Sequence, residues 1–232
     1  MANPRRSPTR HERTRAVIAR DADYKPHRKP VWSHRGGRRD FDPAAPGGGS
    51  VAASVGALAA ALTQMVAGLT NGKAKYADVA EEMRIVAHRA AILAVELTAL
   101  VGRDASAFEG LAAAYKQPKA TDEAACSRAA AIERAILAAA EAPLEIARAA
   151  ASVAELAASV AERGKTNAVA DAATAALIAD SVCRAGALTV RVNLAGCRGT
   201  PGAVTLREMV TGFASAAARA AVRAVTAAEH AC

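Results

Sequence analysis

Beyond residue 50, apolar side chains return every three or four positions almost to the end of the chain, and nothing else in the sequence constrains the fold as strongly. Val51, Val55, Leu58, Leu62, Val66 and Leu69 make one stripe; Val79, Met83, Val86, Ala90, Leu93, Leu97 and Leu100 make a second. Both spacings belong to helices that bury one face. Aromatic residues are 3% of the 232 residues and hydrophobic residues 52%, so the core has to be built from alanine and aliphatic side chains. Such a composition suits close-packed helices, whereas a β-sandwich draws on β-branched and aromatic residues. The expected fold is all-α, an up-and-down antiparallel bundle of six or seven helices without strands.

Turn and cap signals divide the bundle. Residues 72–75 read as the connection between the first two helices. A shorter helix is expected after Gly102, carrying Phe108, Leu111 and Tyr115 and stopping before Pro118. Thr121 reads as an N-cap with Asp122 and Glu123 in the first turn, where carboxylates meet the positive end of the helix dipole. That helix is expected to end near Glu141, and Pro143 to open the next, which closes at Gly164. Thr166 or Asn167 starts a helix reaching about Gly196, and the 199–202 turn precedes the last one, with Leu206, Val210, Phe213, Ala217 and Val225 in its stripe.

The net charge of +8 belongs to one segment. Residues 1–40 hold twelve Lys or Arg against four Asp or Glu, and residues 41–232 hold eighteen of each. A globular surface that binds nucleic acid is therefore not expected. The reading is a basic, disordered extension over 1–40 followed by a helical domain over 41–232, with nucleic acid a partner only through the extension. Cys126, Cys183, Cys197 and Cys232 have neither CxxC spacing nor histidines at ligand spacing, so no metal site is expected and a reducing cytoplasmic setting fits. Between Asp42 and Lys73 no residue is charged, and Val51–Leu69 is long enough to span a bilayer. Its alanines, with Ser54, Gly56, Thr63, Gln64 and Gly68, make it weakly lipophilic. A buried central helix and no membrane partner is the expectation.

Four segments carry polar chemistry. Gly47, Gly48, Gly49 and Ser50 lead into the first helix, where a bare backbone admits close approach and free N–H groups hold a carbonyl or anion. Lys73, Lys75 and Tyr76 follow its end, and Lys119 lies in the loop before Thr121. Asn167 and Asp171, four apart, are expected on one helix face. Asp171, with alanines beside it, is a candidate general base, or else a carboxylate that only answers the helix dipole.

In order, PGGGSVAA at Pro46–Ala53, GKAKY at Gly72–Tyr76, DASAF at Asp104–Phe108, PKATDE at Pro118–Glu123, PLEIAR at Pro143–Arg148, N-x-x-x-D-A at Asn167–Ala172 and TVRVNL at Thr189–Leu194 resemble the cyclodeaminase domain of formiminotransferase-cyclodeaminase and its stand-alone relatives, the methenyltetrahydrofolate cyclohydrolases. The resemblance implies a helical homodimer acting on the one-carbon bridge of a tetrahydrofolate substrate, by cyclohydrolase or cyclodeaminase chemistry, with no cofactor. It implies Asp171 as acid/base or as the stabiliser of the cationic methenyl group, with Asp104 second, the three lysines for the glutamate carboxylates, and the glycine run for the planar ring. Departures are Lys73-Ala74-Lys75 where three lysines are usual, Ala173 where glycine is usual, and the basic extension itself. The contrasting reading is a non-catalytic helical dimer whose basic arm binds a partner.

Overall fold

The computed structural model describes residues 47–197 and 199–231; the expectations for 1–40, the landmark residue Pro46 and Cys232 lie outside them. Five α-helices and three short 3-10 turns make up the described residues, with no strand among them. The helices are α1 (Gly48–Thr70), α2 (Ala80–Tyr115), α3 (Asp122–Arg163), α4 (Val169–Asn193) and α5 (Pro201–His230). Short connections make successive helices antiparallel neighbours, and α1 also packs on α4 and α3 on α5. α3 buries more residues than any other helix, on an alanine-rich aliphatic face from Ala139 to Ala161.

Five helices rather than six or seven follow from two breaks that do not occur. α2 runs straight through Gly102, which costs a helix interior only about 1 kcal/mol. α3 runs through both Glu141 and Pro143. A proline inside a helix removes the N–H that would bond the carbonyl four residues back, here Ala139. Asn193 of α4 donates its Nδ2 hydrogen to that carbonyl at 2.8 Å. The neighbouring helix thus satisfies the gap that would otherwise end the helix. Gly186 of α4 allows the approach, since a methyl there would lie 2.8 Å from the Pro143 carbonyl. Thr121 caps α3 as expected, accepting from the Ala124 N–H at 3.2 Å.

The two apolar stripes behave differently. All seven members of the α2 stripe are buried, Met83, Ala90 and Leu97 completely. Of the α1 stripe only Val66 is fully buried; Val51, Val55, Leu58 and Leu69 are exposed, Leu58 by 68%. α1 buries instead Gly49, Ala52, Ala53, Gly56, Ala59, Ala60, Thr63, Val66, Ala67 and Thr70. The expected buried central helix is thus only half covered, because α2 and α4 bring the bulk to it. A methyl on Gly56 would stand 3.2 Å from Val182 and 3.3 Å from Leu97. Segments containing α1, α2 and α4 are each long and apolar enough to cross a membrane by length and composition.

Candidate functional site

The polar landmarks collect at two opposite ends of the bundle. α1 has 23 residues, so its first and last residues are about 33 Å apart at 1.5 Å per residue.

At one end, α1 begins without help from its own sequence. Its N-cap, Gly47, has no side-chain cap, and its first turn holds no acidic residue. The negative charge comes from α2. Ser50 Oγ lies 3.1 Å from Asp104 Oδ2 and 3.2 Å from the Val101 carbonyl, so its hydroxyl hydrogen is offered to both acceptors. A methyl on Gly49 would overlap the Asp104 carboxylate. Asp104 is therefore held at the helix start, where the dipole favours an anion. Gly47 and Gly48 are exposed with open space where a Cβ would stand, so of the three glycines these two leave backbone accessible. Lys119 is exposed in the loop between α2 and α3. Beside this end, an open groove of about 510 Å³ between α2 and α3 is lined by Ala99, Gly102, Arg103, Ser106 and Glu141. The sequence reading met Gly102 and Glu141 only as helix boundaries and Ser106 only inside the DASAF landmark, none of them as a site residue.

At the other end, the α1–α2 and α3–α4 connections are stitched together. Gly72 takes φ +72°, the left-handed conformation that turns the chain out of α1. Buried Thr70 donates to the Val66 carbonyl at 3.0 Å and accepts from the Lys165 N–H at 3.0 Å. Tyr76, in the 3-10 turn Ala74–Val79, accepts from the Thr166 N–H at 3.1 Å and lies 3.3 Å from the Thr166 hydroxyl. The Thr166 hydroxyl first, then the Thr166 N–H and the Lys75 ammonium, favour the phenolate and draw the Tyr76 phenol below its ordinary value of 10.0. Lys75 Nζ lies 5.4 Å from the Tyr76 ring centroid. Gly164 permits the crossing, since a methyl there would meet Thr70 Oγ1 at 3.2 Å.

Lys73, Lys75, Asn167 and Asp171 are all exposed at this second end. Asp171 lies within the first turn of α4, whereas Asn167 precedes that helix in the turn Thr166–Ala168, so the two do not share a face of one α-helix. One chain therefore brings Lys73, Lys75, Tyr76, Asn167 and Asp171 to one end and Gly47–Ser50, Asp104 and Lys119 to the other. The sequence grouped the glycine entry with Asp171, and within one chain the length of α1 keeps them apart. Thr70 and Thr166, which tie the second end together, were not singled out as site residues; each reads locally as an ordinary helix-end threonine.

The sequence profile described as formiminotransferase-cyclodeaminase matches residues 40–211. A methenyltetrahydrofolate cyclohydrolase from Methylorubrum extorquens is 42% identical over 151 residues, 65% of this chain and 73% of that one. A formimidoyltransferase-cyclodeaminase from Mus musculus is 41% identical over 103 residues, 44% of this chain and only 19% of that protein. Among solved structures, a formiminotetrahydrofolate cyclodeaminase from Thermotoga maritima superposes with a TM-score of 0.72 at 25% identity, over 96% of each chain.

Proposed function

The chain belongs to the formiminotransferase-cyclodeaminase family, and from that premise we propose that it is a methenyltetrahydrofolate cyclohydrolase, with cyclodeamination of the formimino substrate as the second reading. Either way it is a folate one-carbon enzyme. The observation that favours cyclohydrolase is the breadth of its similarity to a stand-alone cyclohydrolase, against a small part of the bifunctional protein.

In this reaction water adds to the bridging carbon of the methenyl cation, one proton leaves the water, and a tetrahedral carbinol forms between N5 and N10. The bond to N5 then breaks, N5 takes up a proton and the carbinol hydroxyl gives one up, leaving the formyl group on N10. The chain's work is to hold the pterin and to move those protons. In this reading Asp171 is the acid/base, and Asp104, at the other end of its own chain, stabilises the cationic bridge from the second copy of the homodimer. Lys73, Lys75 and Lys119 receive the glutamate carboxylates as point charges on flexible stems. Gly47 and Gly48 meet the planar ring, and Ser50, Tyr76 and Asn167 complete the polar contacts. The enzyme works as a cytoplasmic homodimer without a metal or redox cofactor.

The test is to mix purified protein with 5,10-methenyltetrahydrofolate and follow the loss of its near-ultraviolet absorbance. Hydrolysis well above the buffer rate is expected, and Asp171→Asn should lower turnover while the helical circular dichroism stays unchanged. A buffer-level rate combined with ammonia release from the formimino substrate would transfer the assignment to cyclodeaminase. An Asp171→Asn variant with wild-type turnover would remove that residue from the mechanism.

A further inference from the structure

The fold brings to the second end of the bundle a lysine that no local pattern marks. Lys165 lies between Gly164, which closes α3, and the turn Thr166–Ala168. Lys73 and Lys75, separated by Ala74, belong to the α1–α2 connection. Two hydrogen-bonded crossings join the connections, one through Lys165 and one through its neighbour. The Lys165 N–H donates to buried Thr70 Oγ1 at 3.0 Å, and the Thr166 N–H to the Tyr76 phenol oxygen at 3.1 Å. Thr70 is itself fixed, because its hydroxyl hydrogen goes to the Val66 carbonyl inside α1. The Lys165 backbone is thus pinned to the end of α1, from which the Lys73 turn departs. Among the described residues, none of the three lysines forms an ion pair. Glu82, at the start of α2, is already taken by the Ser159 hydroxyl at 2.8 Å and by Arg163 at 3.1 Å. Asp78 and Asp171 are exposed at the same end and pair with none of them. Ammonium groups gathered in this way repel one another until an anion settles among them. Lys165 is half-buried where Lys73 and Lys75 are exposed, so part of its stem is already ordered and less freedom is lost on meeting a ligand.

We infer that Lys165 is a further substrate-binding residue, its ammonium meeting a carboxylate of the substrate's glutamate moiety beside Lys73 and Lys75. The inference rests on the folate reading above and adds to it a residue from a different segment of the chain. A glutamate attached through its nitrogen presents two carboxylates on rotatable bonds. Lysine suits such a target, being a compact charge on a flexible stem that needs no fixed plane. Lys73 and Lys75 come to the tail from the α1–α2 connection, and Lys165 comes from across the Tyr76–Thr166 crossing, so the carboxylates are gripped from two segments. Asp171 follows in the first turn of α4, which leaves the acid/base and the tail cations at one end with the aminobenzoyl spacer between them. The crossings hold the backbone of Lys165 and leave its ammonium free of them, so the charge can be removed without cutting a stitch.

Equilibrium dialysis of the full chain against tetrahydrofolate and against tetrahydropteroate, which lacks the glutamate, tests this. The wild type should hold tetrahydrofolate about tenfold more tightly than tetrahydropteroate. Lys165→Met should weaken tetrahydrofolate about fivefold, the size of one exposed ion pair, and leave tetrahydropteroate within about twofold. Lys165→Arg should stay within about twofold of the wild type for both ligands. Lys116→Met, the same loss of charge at the far end of α2, should change neither. In the methenyltetrahydrofolate assay, KM of Lys165→Met should rise by the factor seen in dialysis while kcat stays at the wild-type value. Equal wild-type affinity for the two ligands would overturn the inference. So would equal weakening of both by Lys165→Met, no weakening of either, or an arginine variant as weak as the methionine one. Should Lys165→Met lose its helical circular dichroism, Lys165→Gln decides by the same comparison. A wild type that binds tetrahydrofolate without turning over the methenyl form would refute the proposed activity, and dialysis would still decide Lys165. A wild type that neither binds nor converts a folate would remove both.

Discussion

α1 and α2 are neighbours joined by residues 71–79, each with a regular apolar stripe, yet one stripe faces outward and the other inward. α2 drives Met83, Leu93, Leu97 and Leu100 into the core; α1 offers the core mostly alanine and glycine and leaves Leu58 and Met65 outside. At their contact Leu97 of α2 and Val182 of α4 fill the space over Gly56. One helix supplies the knobs and the other the hole. A small-residue face next to a large one packs as densely as two mixed faces, and it frees the large side chains of α1 for another surface. The inverted stripe thus leaves the large side chains of α1 on the outside, whereas the stripe of α2 is buried and its exposed large aliphatic residues, Ile85, Ile92 and Val95, lie off that stripe.

This contrast is easiest to break at its knobs. Leu97→Ala should destabilise the fold most, by about 3 kcal/mol in urea denaturation, because a fully buried leucine leaves a cavity that neighbours only partly fill. Filling the hole should cost less: Gly56→Val meets Leu97 and Val182 at close range, and a loss of about 1–2 kcal/mol is expected. Gly49→Ala should push Asp104 away from the start of α1, at a cost of about 1 kcal/mol, near that of a lost N-cap. Leu58→Ala, the same chemical change as Leu97→Ala on the outward side, should lie within about 0.5 kcal/mol when measured at concentrations low enough to keep the chain monomeric. A Leu58→Ala effect as large as that of Leu97→Ala under those conditions would abolish the distinction between the two helices.

The smallest effect lies in the turn between them. The Tyr76 phenol should ionise below 10.0 in the ultraviolet difference spectrum against Tyr76→Phe, and Thr166→Ala should move it back upward. Because the folded value is depressed, any stability linked to it is fully present only above the unfolded value and is lost as pH falls through the folded one. Denaturation at neutral pH should therefore show no contribution from this ionisation, and an alkaline titration is needed to see it.

Local signals carried much of the fold. The α2 stripe, the Thr121 cap, the break at Gly72 and the absence of strands among the described residues all agree with the sequence reading, because each rests on spacing or on one residue's backbone preference. The same logic cut the chain at Gly102 and Pro143 and put the α1 stripe inside. Pro143 stays within a helix because Asn193, fifty residues on, donates to the carbonyl it strands. Asp104 stands at the start of α1 because Gly49 has no side chain to exclude it. No local window contains either fact.

The candidate site divides along the same line. Which residue types gather, glycines, lysines, a phenol and carboxylates in a fixed order, was legible in the chain, as was the helical periodicity that carries them. Which of them meet was not, because the ends of a helix 23 residues long are separated by a rigid rod whose direction is set only when α2, α3 and α4 close around it. The sequence determined that the chain is helical and where most of its breaks fall, since those depend on side-chain size and spacing. Only the tertiary structure decided which face of α1 is inside and which ends adjoin, because both depend on the volume the neighbouring helices have already taken.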